Sequence, residues 1–159
     1  MRNGVTSDGK AVLDVFNRTH EETDYLLTYS DENRFTASQE ADFLQRKTDS
    51  ANNVEIIAVV DDVVAGTAGI DALGTRDKIK HRAVFGIAIT KEFWGLGIGK
   101  YLMEACIECA REAGYLQLEL EVVAENERAV EMYRRAGFIE YGRNPKAFRL
   151  RTGEYQGID

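Results

Sequence analysis

A glycine-rich segment, Trp94–Lys100, carries the clearest chemical signal in this chain. Gly95, Gly97 and Gly99 alternate within it, and glycine lets the backbone turn tightly and approach a ligand closely because it has no Cβ. A β-like run precedes the segment, and a helical pattern over residues 97–113 begins inside it. The start of a helix offers unpaired N–H groups and the positive end of a dipole. The segment therefore predicts a seat for phosphate oxygens.

Two common nucleotide sites are excluded by individual residues of this segment. A dinucleotide-binding fingerprint needs G-x-G-x-x-G directly after a strand, whereas the pattern here is G-x-G-x-G with Lys100 in the place of the third glycine. A P-loop needs Ser or Thr after the lysine, and Tyr101 stands there instead. A turn without a ligand is the remaining alternative, but three glycines would weaken the helix they open without any compensating role.

Length, charge and composition narrow the class of protein. The chain has 159 residues, of which 44% are hydrophobic and 30% charged, and this predicts a single globular domain over residues 1–159. The formal net charge of −7 argues against a nucleic-acid partner, which would need a basic surface. No signal-peptide or membrane-helix pattern is visible, so we expect no membrane partner and a cytoplasmic protein. Cys106 and Cys109 lie in a helical apolar stripe, where buried thiols are expected rather than a metal site.

Hydrophobic periodicity predicts an α/β (α+β) framework to position the glycine segment. In chain order the predicted elements are helices beginning near residues 7 and 38, strands over 54–60, 63–73 and 82–90, a helix over 97–113, a strand over 116–122, a helix capped by Asn126 and a strand over 138–141. This order favours a mixed central β-sheet with helices on both faces. Little chain remains for a first or a last strand, so we expect a shortened chain or a second subunit, as in a homodimer, at the sheet edge.

A second pattern lies downstream of the glycine segment. Asn126-Glu127-Arg128-Ala129 leads to Tyr133 and then to Gly137-Phe138. Together the two patterns resemble the GNAT superfamily, the Gcn5-related N-acetyltransferases, over roughly residues 54–142. The resemblance implies the GNAT fold, acetyl-CoA as co-substrate, no metal, and direct acetyl transfer to a primary amine of a small molecule or a protein N-terminus. A non-catalytic acyl-CoA-binding regulatory domain on the same fold is the alternative.

The resemblance also implies how acetyl-CoA is held. Backbone N–H groups of the glycine segment would wrap the pyrophosphate, and strand N–H groups near Ile87–Ile89 would contact the pantetheine arm and the acetyl carbonyl. Gly86 favours a bulge beside them. Trp94 stands where the family usually has Arg or Gln, so it either contacts the cofactor or packs at the base of the loop. The implied cofactor-binding residues are Ile87, Ala88, Ile89, Trp94, Gly95, Leu96, Gly97, Ile98, Gly99, Lys100, Asn126, Arg128 and Ala129.

Two side chains carry the implied chemistry. Tyr133 would protonate the leaving thiolate, since a phenol pKa of about 10 lies near a thiol pKa of about 8.5. By periodicity alone Tyr133 is a buried aromatic residue of a helical stripe. Glu121, in the run Leu120-Glu121-Val122, would deprotonate the amine, and a solvent-facing, ion-paired glutamate is the equal alternative. Glu22 and Asp24 are further candidates for the base.

Overall fold

The structure is a computed structural model that describes residues 1–159, and a five-stranded mixed sheet lies at its centre. The strands lie side by side in chain order; the fourth and fifth are parallel, and the other neighbours are antiparallel. The elements are β1 (Arg2–Asn3), α1 (Gly9–Glu22), α2 (Ala37–Asp49), β2 (Val54–Val60), β3 (Val63–Ala72), β4 (Arg82–Ile89), α3 (Ile98–Glu112), β5 (Gln117–Glu119), α4 (Glu127–Arg135), β6 (Asn144–Arg149) and β7 (Tyr155–Ile158).

Helices cover both faces of the sheet, as the sequence predicted. Adjacent residues of a strand point to opposite faces, and Ile56 and Ile57 of β2 show the consequence. Ile57 packs with Val12 of α1 and Leu44 of α2. Ile56 belongs to the larger core cluster, which contains Leu102 and Cys106 of α3. None of the helices is both long enough and apolar enough to cross a bilayer.

Strands β4 and β5 pair only at one end and then diverge. Arg82–Val84 pairs with Gln117–Glu119, and no ladder joins the two strands beyond Val84. The predicted bulge at Gly86 is wrong, because Gly86 pairs in regular register with Gly69 of β3. The predicted strand over 116–122 shortens to β5 because the chain leaves β4 after Glu119. The divergence opens a cleft along the edge of β4 that faces β5.

The first strand is short, as expected, whereas the end of the chain differs from the expectation. Arg2–Asn3 forms β1 on the edge of β2, and the polar residues after 143 form the antiparallel hairpin β6–β7. Ile158 of β7 forms an antiparallel bridge with Val123, so the hairpin lies beside the segment that follows β5. The expectation that little room remained for a last strand was therefore wrong. The predicted strand over 138–141 is also absent, because no backbone group of residues 139–143 finds a hydrogen-bond partner.

Local capping explains where two helices begin. Helix α2 begins after Thr36 and not at the predicted Ser38, because Thr36 Oγ1 accepts the N–H of Gln39 while Gln39 Oε1 accepts the N–H of Thr36. Asn126 caps α4 as predicted, since its Oδ1 accepts the N–H of Ala129 at 3.3 Å.

Candidate active site

The cleft between β4 and β5 is a cavity of about 600 Å³. It brings together Tyr133, Glu121 and every residue predicted for cofactor binding except Leu96, which is 62% exposed and lies outside the lining. The further base candidates Glu22 and Asp24 also lie outside it. A smaller cavity of about 260 Å³ beside Lys47 contains none of them. The predicted residues, although spread from 87 to 133 in the chain, therefore form one site.

Backbone groups of β4 form one wall of the cleft. Thr90 donates its N–H to Ala65 O of β3 at 3.0 Å. Because N–H groups alternate between the two edges of a strand, Ala88 also directs its N–H to β3, whereas Ile87 and Ile89 direct theirs into the cleft. Ala88 therefore lines the cleft, but its N–H group pairs with β3 and is not the free donor that the sequence resemblance implied.

The glycine segment presents unpaired N–H groups at the end of this wall. Gly95 and Gly97 have φ values of +84° and +79°, a left-handed conformation that favours glycine, and Gly97 is the residue that caps α3. The N–H groups of residues 95–97 donate no hydrogen bond. Those of residues 98–100 form the first turn of α3 and have no acceptor within the helix. Six consecutive N–H groups are thus free to bind oxygens of an anion.

Gly99 has a different role from its neighbours. A Cβ added at Gly99 would lie 3.1 Å from Met132 Sδ and 3.3 Å from Ile89 Cδ1. The absence of a side chain at Gly99 therefore lets α3 pack closely against α4 and the end of β4.

Trp94 braces the glycine segment. Its indole Nε1 donates a hydrogen bond to Ile89 O at 2.7 Å, and the Arg128 guanidinium lies 5.3 Å from the centre of the indole ring. This hydrogen bond satisfies the Ile89 carbonyl, which points toward the cleft, and leaves the neighbouring N–H groups free to bind a ligand. This geometry favours the packing interpretation of Trp94 at the base of the loop.

A polar network that the sequence did not reveal supports the same loop. Glu22 of α1 accepts the N–H of Lys91 at 2.6 Å, and Arg18 donates two hydrogen bonds of 2.9 Å to Glu92. Glu22 is therefore engaged in holding the turn before Trp94, which argues against its candidacy as the base. No local pattern signals this contact, because the partners are 69 residues apart.

Tyr133 lies on the α3 side of the cleft and is 8% exposed. Its ring packs edge-on against Phe85 and Phe138, with centroids 6.2 Å and 5.9 Å away, and its hydroxyl has no hydrogen-bond partner in the protein. Burial raises the pKa of Tyr133 to about 12. The phenol therefore stays protonated at neutral pH, and its pKa lies further from that of a thiol than the sequence argument assumed.

Glu121 lies on the other side of the cleft. Leu118 and Leu120 pack into the core cluster that contains α3, and strand alternation turns Glu121 to the opposite face. Its carboxylate is exposed and forms no ion pair, which excludes the ion-paired alternative. The cleft thus separates a protonated phenol on one face from a free carboxylate on the other.

Other lining residues lie outside the predicted set of cofactor-binding and catalytic residues. They come from the end of α1, from the segment between α1 and α2, and from the β6–β7 hairpin: Thr19, Thr23, Tyr25, Leu26, Leu27, Phe148 and Ile158. Phe148 was a large aromatic residue in a polar stretch, and this was the one signal that the stretch contributes to a site.

Comparison with known proteins identifies relatives among the N-acetyltransferases. The chain spans less than two thirds of the length of most of the curated relatives it matches. The L-amino acid N-acetyltransferase AaaT of Escherichia coli (strain K12) is 31% identical over 112 residues, which cover 70% of this chain and 68% of that protein. Spermidine N(1)-acetyltransferase of Vibrio cholerae is 30% identical over 108 residues, 67% of this chain and 62% of that protein.

The fold and the family agree. The crystal structure of an acetyltransferase of the GNAT family from Streptococcus pneumoniae has a TM-score of 0.93 and 28% identity, and the match covers 99% of this chain and 94% of that chain. The mixed sheet with helices on both faces is therefore confirmed as the GNAT fold. The sequence profile described as "Acetyltransferase (GNAT) family" matches residues 14–138, more than half of the chain. This chain belongs to the GNAT acetyltransferase family.

Proposed function

We propose that this protein transfers an acetyl group from acetyl-CoA to a primary amine within the cleft between β4 and β5. The observation that carries the proposal is the continuity of free backbone donors, from Ile87 and Ile89 on the edge of β4 to residues 95–100 of the glycine segment. Such a row suits a ligand with an extended amide-bearing arm at one end and a pyrophosphate at the other.

Each part of acetyl-CoA has a matching region. The pyrophosphate binds the N–H groups of residues 95–100, with the cationic side chains of Lys100 and Arg128 nearby on the cleft lining. The pantetheine arm lies along β4 and accepts a hydrogen bond from one of the two N–H groups of Ile87 and Ile89. One of these N–H groups is left to polarise the acetyl carbonyl.

Acetyl transfer needs one group that removes a proton and one that stabilises the leaving sulfur. The neutral amine attacks the carbonyl carbon, a C–N bond forms, and the C–S bond breaks with its electron pair on sulfur. Glu121 accepts the proton of the amine on the open face of the cleft. Tyr133 donates a hydrogen bond to the departing thiolate from the opposite face.

The raised pKa of Tyr133 refines its role. A phenol with a pKa of about 12 remains a hydrogen-bond donor at every physiological pH. Complete proton transfer to a thiolate of pKa about 8.5 is unfavourable from such a phenol. Tyr133 therefore acts by stabilising negative charge on sulfur, and the thiolate takes its proton from water as CoA leaves.

The acceptor is an amine of a small molecule or of a protein N-terminus, and the cell compartment is the cytoplasm. Named relatives acetylate L-amino acids and spermidine, and this supports an amine acceptor. Cys106 and Cys109 are both free thiols, which fits a reducing compartment.

The experiment is a thiol-release assay with acetyl-CoA and a panel of primary amines. We expect CoA release that requires both substrates, and we expect Tyr133→Phe to lower kcat by roughly 10²-fold or more while the Kd for acetyl-CoA stays unchanged. Glu121→Gln should lower kcat in the same way. Acetyl-CoA binding without CoA release for any amine would instead support a non-catalytic acyl-CoA-binding domain.

A further inference from the structure

The acceptor side of the cleft is apolar. Its walls come from the segment between α1 and α2, which contributes Tyr25 and Leu27, and from the β6–β7 hairpin, which contributes Phe148. Leu27 is 79% exposed, although its side chain is large and apolar. Gly86 adds open space at the floor, since nothing lies within 4 Å of the position of a Cβ there. An apolar group bound here would cover surface that is otherwise exposed to water.

Charges are unevenly distributed along the cleft. The two cations of the lining, Lys100 and Arg128, both belong to the cofactor end: Lys100 lies in the first turn of α3, and Arg128 stacks on Trp94. Glu121 is the one carboxylate of the lining. The acceptor side therefore offers a partner for a single ammonium group and no cation for a carboxylate.

An ion pair connects the two segments that form the apolar walls. Arg151, at the tip of the β6–β7 hairpin, donates to both carboxylate oxygens of Asp31 at 3.0 Å and 2.8 Å. Its guanidinium lies 4.1 Å from the centre of the Tyr29 ring, and its backbone N–H donates to Tyr29 Oη at 2.9 Å. The hairpin thus contacts the segment that carries Tyr25 and Leu27, so the two apolar walls lie side by side.

We infer that the acceptor is a small primary monoamine with an apolar body, such as an arylalkyl or alkyl group; the inference rests on the proposed function. A polyamine brings further ammonium groups that find no carboxylate in the lining, so their burial is unfavourable. A free amino acid brings a carboxylate that finds no cation on the acceptor side. A monoamine places its one ammonium at Glu121 and its apolar body against Tyr25, Leu27 and Phe148.

The experiment measures kcat/KM at saturating acetyl-CoA for phenethylamine, hexylamine, spermidine, L-leucine and a peptide with an N-terminal leucine. We expect phenethylamine and hexylamine to exceed the other three by roughly tenfold or more. If spermidine, leucine or the peptide matches or exceeds the monoamines, acetyl transfer stands and the inference about the acceptor is wrong. If no amine releases CoA, the proposed function fails together with it.

A pair of charge variants tests the location of the acceptor. Leu27→Glu should raise the KM for phenethylamine roughly fivefold or more and improve the relative kcat/KM of spermidine, because it adds a carboxylate to the apolar wall. Leu116→Glu is the matched control, since Leu116 is 84% exposed and lies outside the cleft. We expect this control to leave both amines unaffected, and both variants to bind acetyl-CoA like the wild type. An unchanged phenethylamine KM in Leu27→Glu would overturn the inference.

Discussion

The indole nitrogen of Trp94 donates a 2.7 Å hydrogen bond to the carbonyl oxygen of Ile89, the last residue of β4. This bond ties the start of the glycine segment to the strand end whose N–H group faces the cleft. The tryptophan side chain thereby has a role within the protein itself, as a link between the loop and the strand. Strand and loop are thereby held in one fixed relationship before acetyl-CoA binds.

Trp94→Phe should weaken acetyl-CoA binding and leave the chemistry intact. The substitution keeps an aromatic ring under Arg128 but removes the donor, and the net loss of about 1 kcal/mol expected for one hydrogen bond corresponds to a roughly fivefold higher Kd. Isothermal titration with acetyl-CoA measures this change. Tyr101→Phe is the control, because Tyr101 is 56% exposed and its hydroxyl makes no hydrogen bond. A drop in kcat at unchanged Kd in Trp94→Phe would contradict the bracing role.

Gly97→Ala and Gly114→Ala separate backbone strain from cofactor binding. Both glycines have left-handed φ values, +79° and +82°, so each alanine should lower the free energy of unfolding by about 1–2 kcal/mol. Gly97 lies in the cleft, whereas Gly114 follows the far end of α3. Urea unfolding should therefore show similar losses for the two variants, and only Gly97→Ala should raise the Kd for acetyl-CoA. Equal Kd values would remove Gly97 from the cofactor site.

The burial of Tyr133 predicts a stability that depends on alkaline pH. Its pKa rises from 10.0 in the unfolded reference to about 12 in the folded protein, so the folded state holds the phenolic proton more tightly. This contribution to stability is complete below pH 10.0 and is lost as the pH rises through about 12. Tyr133→Phe removes the titration, and its free energy of unfolding should fall less steeply between pH 8 and pH 11 than that of the wild type, by roughly 1 kcal/mol per pH unit above pH 10.

Urea unfolding at the two pH values measures the difference. Tyr155→Phe is the matched control, since Tyr155 is 51% exposed and should leave the pH dependence of the wild type unchanged. Identical pH dependence in Tyr133→Phe and the wild type would show that the phenol is not buried as the structure describes.

Local signals in the sequence were sufficient for much of the fold and of the cofactor end of the site. The glycines of Trp94–Lys100, the periodicity of α3 and the cap at Asn126 act on neighbouring residues, so their structure follows from short-range geometry. The motif spacing then implied the GNAT fold, and both the fold and the family were confirmed.

Features that depend on a distant partner were not predictable from the sequence. Residues 138–141 have a β-type pattern, but a strand also needs a neighbour, and none lies beside them. The β6–β7 hairpin arises in a polar stretch because it pairs with itself and bridges to Val123. The contact of Glu22 with Lys91 and that of Arg151 with Asp31 join positions 69 and 120 residues apart, and no local pattern reports either.

The most direct test of the central claim is amide hydrogen exchange with and without acetyl-CoA. Acetyl-CoA should slow exchange at Ile87 and Ile89 and across residues 95–100, whose N–H groups have no acceptor within the protein. The intervening amide of Ala88 already bonds to β3 and should change little. Unchanged exchange at Ile87, Ile89 and residues 95–100, or protection confined to the cavity beside Lys47, would contradict the claim that these donors hold acetyl-CoA.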